Sequence, residues 1–308
     1  METAPQPLTD TERIDWLQLI RTKFVGPRLF VELIERFGTA AAALEALPEL
    51  SRRAGGRKKF VPPDRDVIQA ELAALSVAGG SAIGLCEPDY PDRLAAIADP
   101  PPMLFLRGDK TLLTRPSVAI VGARNASTNG RRLAGEIAGQ LGEAGYIVVS
   151  GLARGIDAAA HADALETGTV AAIAGGIDVV YPPEHEDLQN RIATTGAVIS
   201  EQPVGTRPTA RHFPARNRLI SGLSQGVLVI EAALKSGSLI TSRLALEQGR
   251  EVFAVPGSPR DPRCKGTNDL IRQGAILTES AADIVSALSQ QMLRPQQVTS
   301  RAITPQPV

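Results

Sequence analysis

The amino-acid sequence predicts a doubly wound α/β domain with an extended Rossmann-like, mostly parallel sheet, preceded by a small all-α domain. Short apolar runs such as 117–121 and 226–230 lack the polar alternation of a half-exposed strand. Such runs are typical of strands that helices cover on both faces. Helix-forming segments separate the runs, as the crossover connections of a parallel sheet require.

Length and composition limit the possible functions. A chain of 308 residues, 43% hydrophobic and 21% charged, has the size and balance of about two globular domains. The formal net charge of zero argues against a uniformly basic, histone-like polyanion binder, but not against positive charge concentrated in one groove. The sequence shows no signal peptide and no apolar stretch of about 18 residues. We therefore expect a cytoplasmic protein without a membrane partner.

Chemistry-bearing motifs are sparse. Cys86 and Cys264 lie far apart, which suits a reducing compartment and offers neither a disulfide framework nor a zinc site. The sequence has no P-loop, no Gly-x-Ser-x-Gly elbow and no His-Glu-x-x-His motif. Paired carboxylates, which a hydrolase or transferase would use, do not accompany the glycine-rich loops. These observations favour binding over catalysis, with no metal and no cofactor.

Residues 1–75 are predicted to form the helical domain. Asp10 or Thr11 can cap a first helix, and Pro27 suits the first turn of a second helix that ends at Gly38. An alanine-rich third helix follows. The layout resembles a helix-hairpin-helix or SAM-like module, whose hairpin either contacts phosphate or serves only for packing.

The α/β domain is predicted over residues 81–290, after a basic connector at 51–66. The strand candidates are 82–86, 103–107, 117–121, 146–150, 169–174, 197–199, 227–230 and 251–255. The helix candidates are 129–144, 155–167, 185–195, 214–223, 238–248 and 280–289. Residues 291–308 are rich in Pro, Gln and Thr and lack an apolar period, so a flexible linker is expected there.

Glycine-rich loops follow several predicted strands, and the carboxyl ends of parallel strands share one edge of a sheet. In the first loop, Gly122 allows close approach of a ligand, Arg124 supplies a guanidinium, and Ser127 can cap a helix or contact phosphate. A plain turn with solvent-facing arginines is the alternative. Later loops contribute Gly175 and Gly176, Tyr181 as a stacking surface or a core residue, and the candidates Ser236, Gly237, Ser238 and Lys265.

The loop before the second predicted helix of this domain combines two glycines with an arginine. Gly151, Arg154 and Gly155 can form an anion-binding cup at a helix N-terminus. Asp157 is predicted to cap that helix or orient Arg154, since no candidate nucleophile lies beside it. His161, one helical turn further on, is predicted to be a structural hydrogen-bonding residue.

No acidic residue occurs between Glu201 and Glu231, although this stretch contains four arginines and a histidine. The candidates in its middle are Phe213, Arg216, Asn217 and Arg218. A positive surface beside a helix start can hold phosphate without a metal or a catalytic carboxylate. The alternative is a solvated arginine face without a ligand.

In this order, the segments closely resemble the DNA-processing protein A family (DprA, also called Smf), over about residues 82–280. The matching stretches are Val121-Gly-Ala-Arg124, 150–157 with His161, Gly175-Gly-Ile-Asp-Val-Val-Tyr-Pro182, Ser200-Glu-Gln-Pro203, Phe213-Pro-Ala-Arg-Asn-Arg-Leu-Ile220, Glu231 with 236–241, Pro256-Gly257, and Lys265-Gly-Thr-Asn268. The resemblance implies an extended Rossmann-like domain that binds single-stranded DNA, forms homodimers and helps to load the RecA recombinase in natural transformation. The family pocket would comprise Arg124, the Gly175-Gly176 turn and the Arg216-Asn217-Arg218 segment.

The sequence therefore predicts a non-enzymatic recombination mediator that protects incoming single-stranded DNA and loads RecA. Loop arginines are expected to neutralise phosphates, and Phe213 or Tyr181 to stack a base. Some relatives carry a lysine where this chain has Pro183 and Glu184, so affinity is expected to rest more on the arginines. Two alternatives stay open: a nucleotide-processing enzyme of the lysine-decarboxylase-like phosphoribohydrolase type, whose Pro-Gly-Gly-x-Gly-Thr loop is absent here, and a protein-interaction platform.

Overall fold

The structure is a computed structural model that describes residues 6–53 and 59–293. The predicted linker from residue 294 onward and the middle of the basic connector lie outside the described residues. The N-terminal helices are α1 (Asp10–Arg21), α2 (Pro27–Phe37), α3 (Ala40–Arg53) and α4 (Arg65–Val77). Pro27 occupies the first turn of α2, where its missing N–H leaves no helical hydrogen bond unmade.

A nine-stranded sheet follows within the described residues. Its strands are β1 (Ser81–Gly84), β2 (Met103–Gly108), β3 (Ser117–Gly122), β4 (Ile147–Ser150), β5 (Thr169–Ala172), β6 (Ala197–Ser200), β7 (Gly226–Ile230), β8 (Glu251–Ala254) and β9 (Ile276–Leu277). Their spatial order is β1-β2-β6-β5-β4-β3-β7-β8-β9. β1 and β2 run antiparallel to their neighbours, whereas all pairs from β6 to β9 are parallel. The predicted mostly parallel, extended Rossmann-like sheet is confirmed.

Helices cover both faces of this sheet. They are α5 (Asp92–Ala95), α6 (Thr128–Glu143), α7 (Ile156–Asp163), α8 (Glu186–Thr195), α9 (His212–Leu223), α10 (Gly237–Glu247), α11 (Lys265–Arg272) and α12 (Ala281–Leu293). Helices α6, α7 and α12 pack on one face, and α5, α9 and α10 on the other. In β3, Val118 and Ile120 face the first group, while Ala119 and Val121 face the second. The unbroken apolar run of β3 thus reflects burial on both sides.

The helical domain has its own apolar core and packs against one edge of the sheet. A capping box between Thr9 and Glu12 satisfies backbone N–H groups at the start of α1. The rings of Trp16 and Phe30 have centroids 4.9 Å apart. The same apolar cluster includes Phe105 of β2, so the helices and the sheet share a continuous buried contact.

Three short elements were not predicted: α5, α11 and β9. Four residues in α5 and two in β9 are too few to show a hydrophobic period. Helix α11 begins at Lys265, where the sequence suggested a loop. It is mainly polar on its outer side and follows a 3₁₀ turn at Pro262–Cys264, so its periodic signal is short.

The strand order reverses between β3 and β7, and this reversal creates a crevice. The helix after β3, α6, packs on one face, and the helix after β7, α10, packs on the other. The two connecting loops therefore diverge at the carboxyl ends of these strands. Open α/β sheets bind their ligands at such a switch point.

Candidate functional site

A cleft of about 590 Å³ occupies the crevice between the loops that follow β3 and β7. The first turns of α9 and α10 complete its walls. The predicted residues that line it are Gly122, Arg124, Asp157, Phe213, Arg216, Asn217, Ser236, Gly237 and Ser238. About half of the sequence-predicted candidates thus meet in one place.

Arg216 forms a buried part of the cleft wall, with only 6% of its surface exposed. Its side chain makes no hydrogen bond or ion pair with the described residues, and Nε is buried without a partner. Burial lowers the pKa of Arg216 to about 10, while the Asp157 carboxylate acts in the opposite direction. The guanidinium is therefore still charged at neutral pH. A buried charge without a hydrogen-bonding partner is costly, and an anion in the cleft would remove that cost.

Asp157 lines the same cleft, but its carboxylate is engaged by the backbone of its own loop. Oδ2 accepts hydrogen bonds from the N–H groups of Gly151, at 3.2 Å, and Ala153, at 3.4 Å. Burial raises the pKa of Asp157, and the nearby Arg216 opposes this shift. Asp157 thus shapes the loop and balances the charge of Arg216.

The predicted anion cup at Gly151, Arg154 and Gly155 has one of its amides already in use. The Gly151 amide is already donated to Asp157, and a Cβ on Gly155 would lie 2.3 Å from the carbonyl oxygen of Ala123. Arg154 forms an exposed ion pair with Glu184, outside the cleft. Anion binding by the other two cup residues stays a prediction, because the hydrogen bond to Asp157 occupies the Gly151 amide and not theirs.

Two aromatic rings and a guanidinium contact one another at one side of the cleft. The guanidinium carbon of Arg124 lies 5.2 Å from the ring centroid of Phe213, and the rings of Phe213 and Tyr181 have centroids 5.5 Å apart. Tyr181 is 47% exposed and does not itself line the cleft. The core alternative for Tyr181 is therefore wrong, and its ring extends the surface that Phe213 offers.

The N-terminus of α10 faces the cleft from the opposite side. Ser236 caps this helix by accepting a hydrogen bond from the Ser238 N–H at 3.3 Å, and their hydroxyl oxygens are 2.6 Å apart. The space beside the Gly237 α-carbon is open. Helix N-termini carry partial positive charge, and the exposed side chain of Lys235 adds a full charge here.

Four polar or charged residues that line the cleft were absent from the predicted set: Asn125, Lys235, Thr241 and Arg263. Asn125 and Lys235 adjoin predicted residues, and that adjacency is the signal that could have identified them. Arg263 pairs with Asp261 at 2.7 Å in the turn before α11. Lys265, which was predicted, is exposed at the start of α11 and does not line the cleft.

Arg218 was predicted to neutralise phosphate, but it is a buried structural residue. Its side chain is 8% exposed and forms ion pairs with Glu201 and, through Nε at 3.5 Å, with Asp99. Nη1 also donates to the backbone carbonyl of Asp99 at 2.5 Å. Glu201, at one end of the acid-free stretch, thus neutralises one of the arginines within it.

The Gly175-Gly176 turn packs against the loop that contains Thr206. The Gly176 N–H donates to the carbonyl oxygen of Thr206 at 2.9 Å, and the Ser200 hydroxyl donates to the carbonyl oxygen of Gly175 at 2.6 Å. A Cβ on Gly175 would lie 2.8 Å from the Thr206 carbonyl oxygen. The glycines permit this close packing of the loop that contains Thr206, and a phosphate contact at this turn stays a prediction.

Ser127 and His161 have structural partners. The Ser127 N–H donates to a Glu231 carboxylate oxygen at 2.8 Å, and its hydroxyl donates to the other oxygen. His161 is fully buried, with Nδ1 2.7 Å from the Thr169 hydroxyl. Burial, with a smaller contribution from Arg216, lowers the pKa of His161 to about 3, so its ring is neutral at physiological pH.

Two kinds of feature are absent from the described parts of the chain. No group of three or more His, Cys, Asp or Glu side chains there is placed to hold a metal ion. Across residues 6–53 and 59–293, no helix has both the length and the hydrophobicity needed to cross a bilayer.

Comparison with known proteins identifies the family. The sequence model of the family DNA recombination-mediator protein A matches residues 81–289. The family model of a DprA-like N-terminal HHH domain matches residues 10–74. The chain belongs to the DNA-processing protein A family. DNA processing protein DprA of Bacillus subtilis is 45% identical over 220 residues, which cover 70% of this chain and 74% of the relative.

Solved structures of the DNA-processing protein A family share the fold. The X-ray structure of DNA processing protein A from Streptococcus pneumoniae has a TM-score of 0.75 at 32% identity, covering 91% of this chain and 98% of that chain. A structure from Helicobacter pylori, described as revealing the single-stranded DNA binding mode of DNA processing protein A, has a TM-score of 0.63 at 30% identity. It covers 69% of this chain and 96% of that chain.

Proposed function

We propose that the cleft binds the backbone of single-stranded DNA and that the protein mediates recombination of DNA taken up in transformation. Arg216 carries this proposal, because it is a charged, buried guanidinium that lines the cleft and makes no hydrogen bond or ion pair with the residues that the structure describes. Arg124, Lys235 and the N-terminus of α10 surround the same space, and Asp157 is the only carboxylate among the described lining residues. The site therefore suits phosphate groups.

The stack beside the cleft favours a single strand over a duplex. Phe213 lines the cleft and is backed by the exposed ring of Tyr181 and the guanidinium of Arg124. An aromatic face can receive a base only when that base has left its duplex stack. A strand whose phosphates meet Arg216 could place a neighbouring base on this surface.

We propose binding rather than catalysis as the activity of this cleft. The Asp157 carboxylate accepts two backbone hydrogen bonds, and the Glu231 carboxylate is engaged by Ser127. A phosphoribohydrolase needs a free carboxylate to assist cleavage of the glycosidic bond. Incubation with nucleoside monophosphates should release no free base on chromatography, and turnover above that of a heat-treated sample would refute this point.

The decisive experiment is a binding titration with fluorescent single-stranded oligonucleotides across a range of salt concentrations. Arg216→Ala should weaken binding about tenfold or more, because a hydrogen bond to a charged group contributes about 1.5–3 kcal/mol. The slope of log affinity against log salt should also fall by about 0.7, the value for one phosphate contact on a single strand. Arg132→Ala is the control, since Arg132 is exposed on α6 and pairs with Glu136 at 3.4 Å. Unchanged affinity and slope in a folded Arg216 variant would contradict the proposal.

We make three further proposals about the cellular role. The protein forms homodimers, protects incoming DNA in the cytoplasm and loads RecA. These proposals rest on membership of the family and on the DNA-binding cleft. Light scattering after size exclusion should give twice the monomer mass. Strand exchange by RecA on DNA coated with single-strand-binding protein should start sooner when the protein is present, and an equal lag would argue against loading.

A further inference from the structure

Glu231 occupies an unusual position directly after β7, at the switch point of the sheet. Its φ of 51° is in the left-handed region, which side-chain-bearing residues seldom adopt. Its carboxylate crosses to the start of α6 and accepts the Ser127 N–H at 2.8 Å and the Ser127 hydroxyl. A Cβ on Gly130 would lie 2.9 Å from both carboxylate oxygens, so glycine at that position leaves room for them.

The start of α6 is the place where dinucleotide-binding sheets hold a pyrophosphate, because it follows the first parallel strand at the switch point. Here the carboxylate of Glu231 already accepts from the Ser127 N–H and hydroxyl, two of the donors that a phosphate at this position would use. The N-terminus of α10, beside Arg216, has no comparable acidic group among the lining residues that the structure describes. The two helix N-termini at the crevice thus differ. A carboxylate of the protein itself occupies the start of α6, whereas the start of α10 is open to a ligand.

We propose that Glu231 is a selectivity and positioning residue, whose carboxylate stands in for a phosphate at the start of α6. It closes that position to free nucleotides and pyrophosphate, and it fixes the loop that carries Arg124. Free nucleotides then do not compete with DNA for the cleft. The part of this proposal that concerns DNA rests on the proposed function, whereas the exclusion of pyrophosphate does not.

The test compares pyrophosphate and ADP binding by calorimetry in the wild type, Glu231→Ala, Glu231→Gly and Glu231→Gln. The glycine variant removes the carboxylate and relaxes the left-handed backbone, so it should fold even where the alanine variant does not. The wild type and the glutamine variant should not bind pyrophosphate, because both side chains fill the position. The alanine and glycine variants should bind it at least tenfold more tightly. Glu143→Ala, at the exposed far end of α6, is the control and should behave as the wild type.

A second readout isolates the positioning role. ADP should displace a fluorescent single strand from the alanine and glycine variants but not from the wild type, and their DNA affinity should fall about tenfold, with recovery in the glutamine variant. A folded alanine or glycine variant that does not bind pyrophosphate would overturn the proposal and leave Glu231 as a helix cap. Lack of DNA binding by the wild type would instead refute the proposed function, without bearing on the pyrophosphate result.

Discussion

The guanidinium of Arg216 lies directly against the α-carbon of Gly151. A Cβ on Gly151 would lie only 1.5 Å from Nη1 of Arg216. The absence of a side chain at Gly151 therefore creates the space in which the arginine enters the cleft wall. The glycine was predicted to bind an anion with its own amide, yet its contribution is to make room for the residue that does so in the proposed site.

Gly151→Ala should weaken single-stranded DNA binding about tenfold by displacing the guanidinium of Arg216. Overpacking of a buried site should also reduce the free energy of unfolding by about 1–3 kcal/mol. Fluorescence anisotropy and urea unfolding measure the two effects. Gly139→Ala is the matched control, because a Cβ there comes no closer than 3.8 Å to the carbonyl oxygen of Asp163. Full DNA affinity in a folded Gly151→Ala protein would show that the position of Arg216 is unimportant.

Arg218→Ala should destabilise the fold, because it leaves the mostly buried Glu201 carboxylate, 17% exposed, without its ion-pair partner. Loss of one member of a buried ion pair costs about 3–5 kcal/mol. Urea unfolding should show this loss, while the salt slope of DNA binding by the folded protein stays at the wild-type value. An Arg216→Ala, Arg218→Ala double variant would therefore lose stability as well as affinity. If Arg218→Ala were as stable as the wild type but had a reduced salt slope, Arg218 would contact phosphate, as the sequence predicted.

Phe213→Ala should weaken binding of single strands by about 1–3 kcal/mol, the contribution of one base stacked on an aromatic ring. Phe213→Tyr keeps an aromatic face and should bind within about twofold of the wild type. Because stacking is not a charge interaction, the salt slope should be unchanged in both variants. If Phe213→Ala changed the salt slope of single-strand binding but left the affinity at low salt unchanged, stacking on Phe213 would be contradicted.

Lys235 and Lys265 form a matched pair for testing the cleft. Lys235 lines it, whereas Lys265 is exposed at the start of α11 and does not. Lys235→Ala should reduce both DNA affinity and the salt slope, by about 0.7 in the slope for one phosphate contact. Lys265→Ala should change neither. The reverse pattern in a salt-titrated binding assay would mean that DNA follows a different surface.

His161 should make stability fall in mild acid. Its pKa is lowered from 6.5 to about 3 in the folded protein, so the unfolded chain binds the proton more readily between these values. The stability associated with the neutral ring is complete above about pH 6.5 and is lost as the pH falls towards 3. Between pH 7 and pH 5 the wild type should lose about 2 kcal/mol more than His161→Gln, which does not titrate. Urea unfolding at pH 7 and pH 5 measures this difference. If the wild type and His161→Gln lost the same free energy of unfolding, His161 would not be a buried neutral histidine.

The sequence was informative wherever a local pattern is itself the cause of the structure. The apolar run of β3 predicts burial on both faces, and Pro27 predicts a helix start, because both effects act within a few residues. The sequence also predicted that the glycine-rich loops converge at one edge of the sheet, since parallel strands must present their following loops there. Short elements such as β9, with two residues, carry no such pattern.

The individual site residues were less predictable, because a backbone amide is available to a ligand only if no distant segment has used it. Thr206 takes the amide of Gly176, and Asp157 takes that of Gly151. Glycine identity alone does not distinguish a glycine that approaches a ligand from one that approaches another loop. For that reason, the sequence could not show that the amides of Gly151 and Gly176 are hydrogen-bonded within the protein.

The amino-acid sequence by itself determined the fold class, the family and the edge of the sheet at which the loops converge. Tertiary structure decided which arginine remains free. Arg216 and Arg218 lie two positions apart on α9, so their side chains leave the helix in roughly opposite directions. One reaches the cleft beside Gly151, and the other reaches Glu201. The two arginines are close in sequence, but the packing of distant loops gives Arg218 an ion pair and leaves Arg216 without one among the described residues.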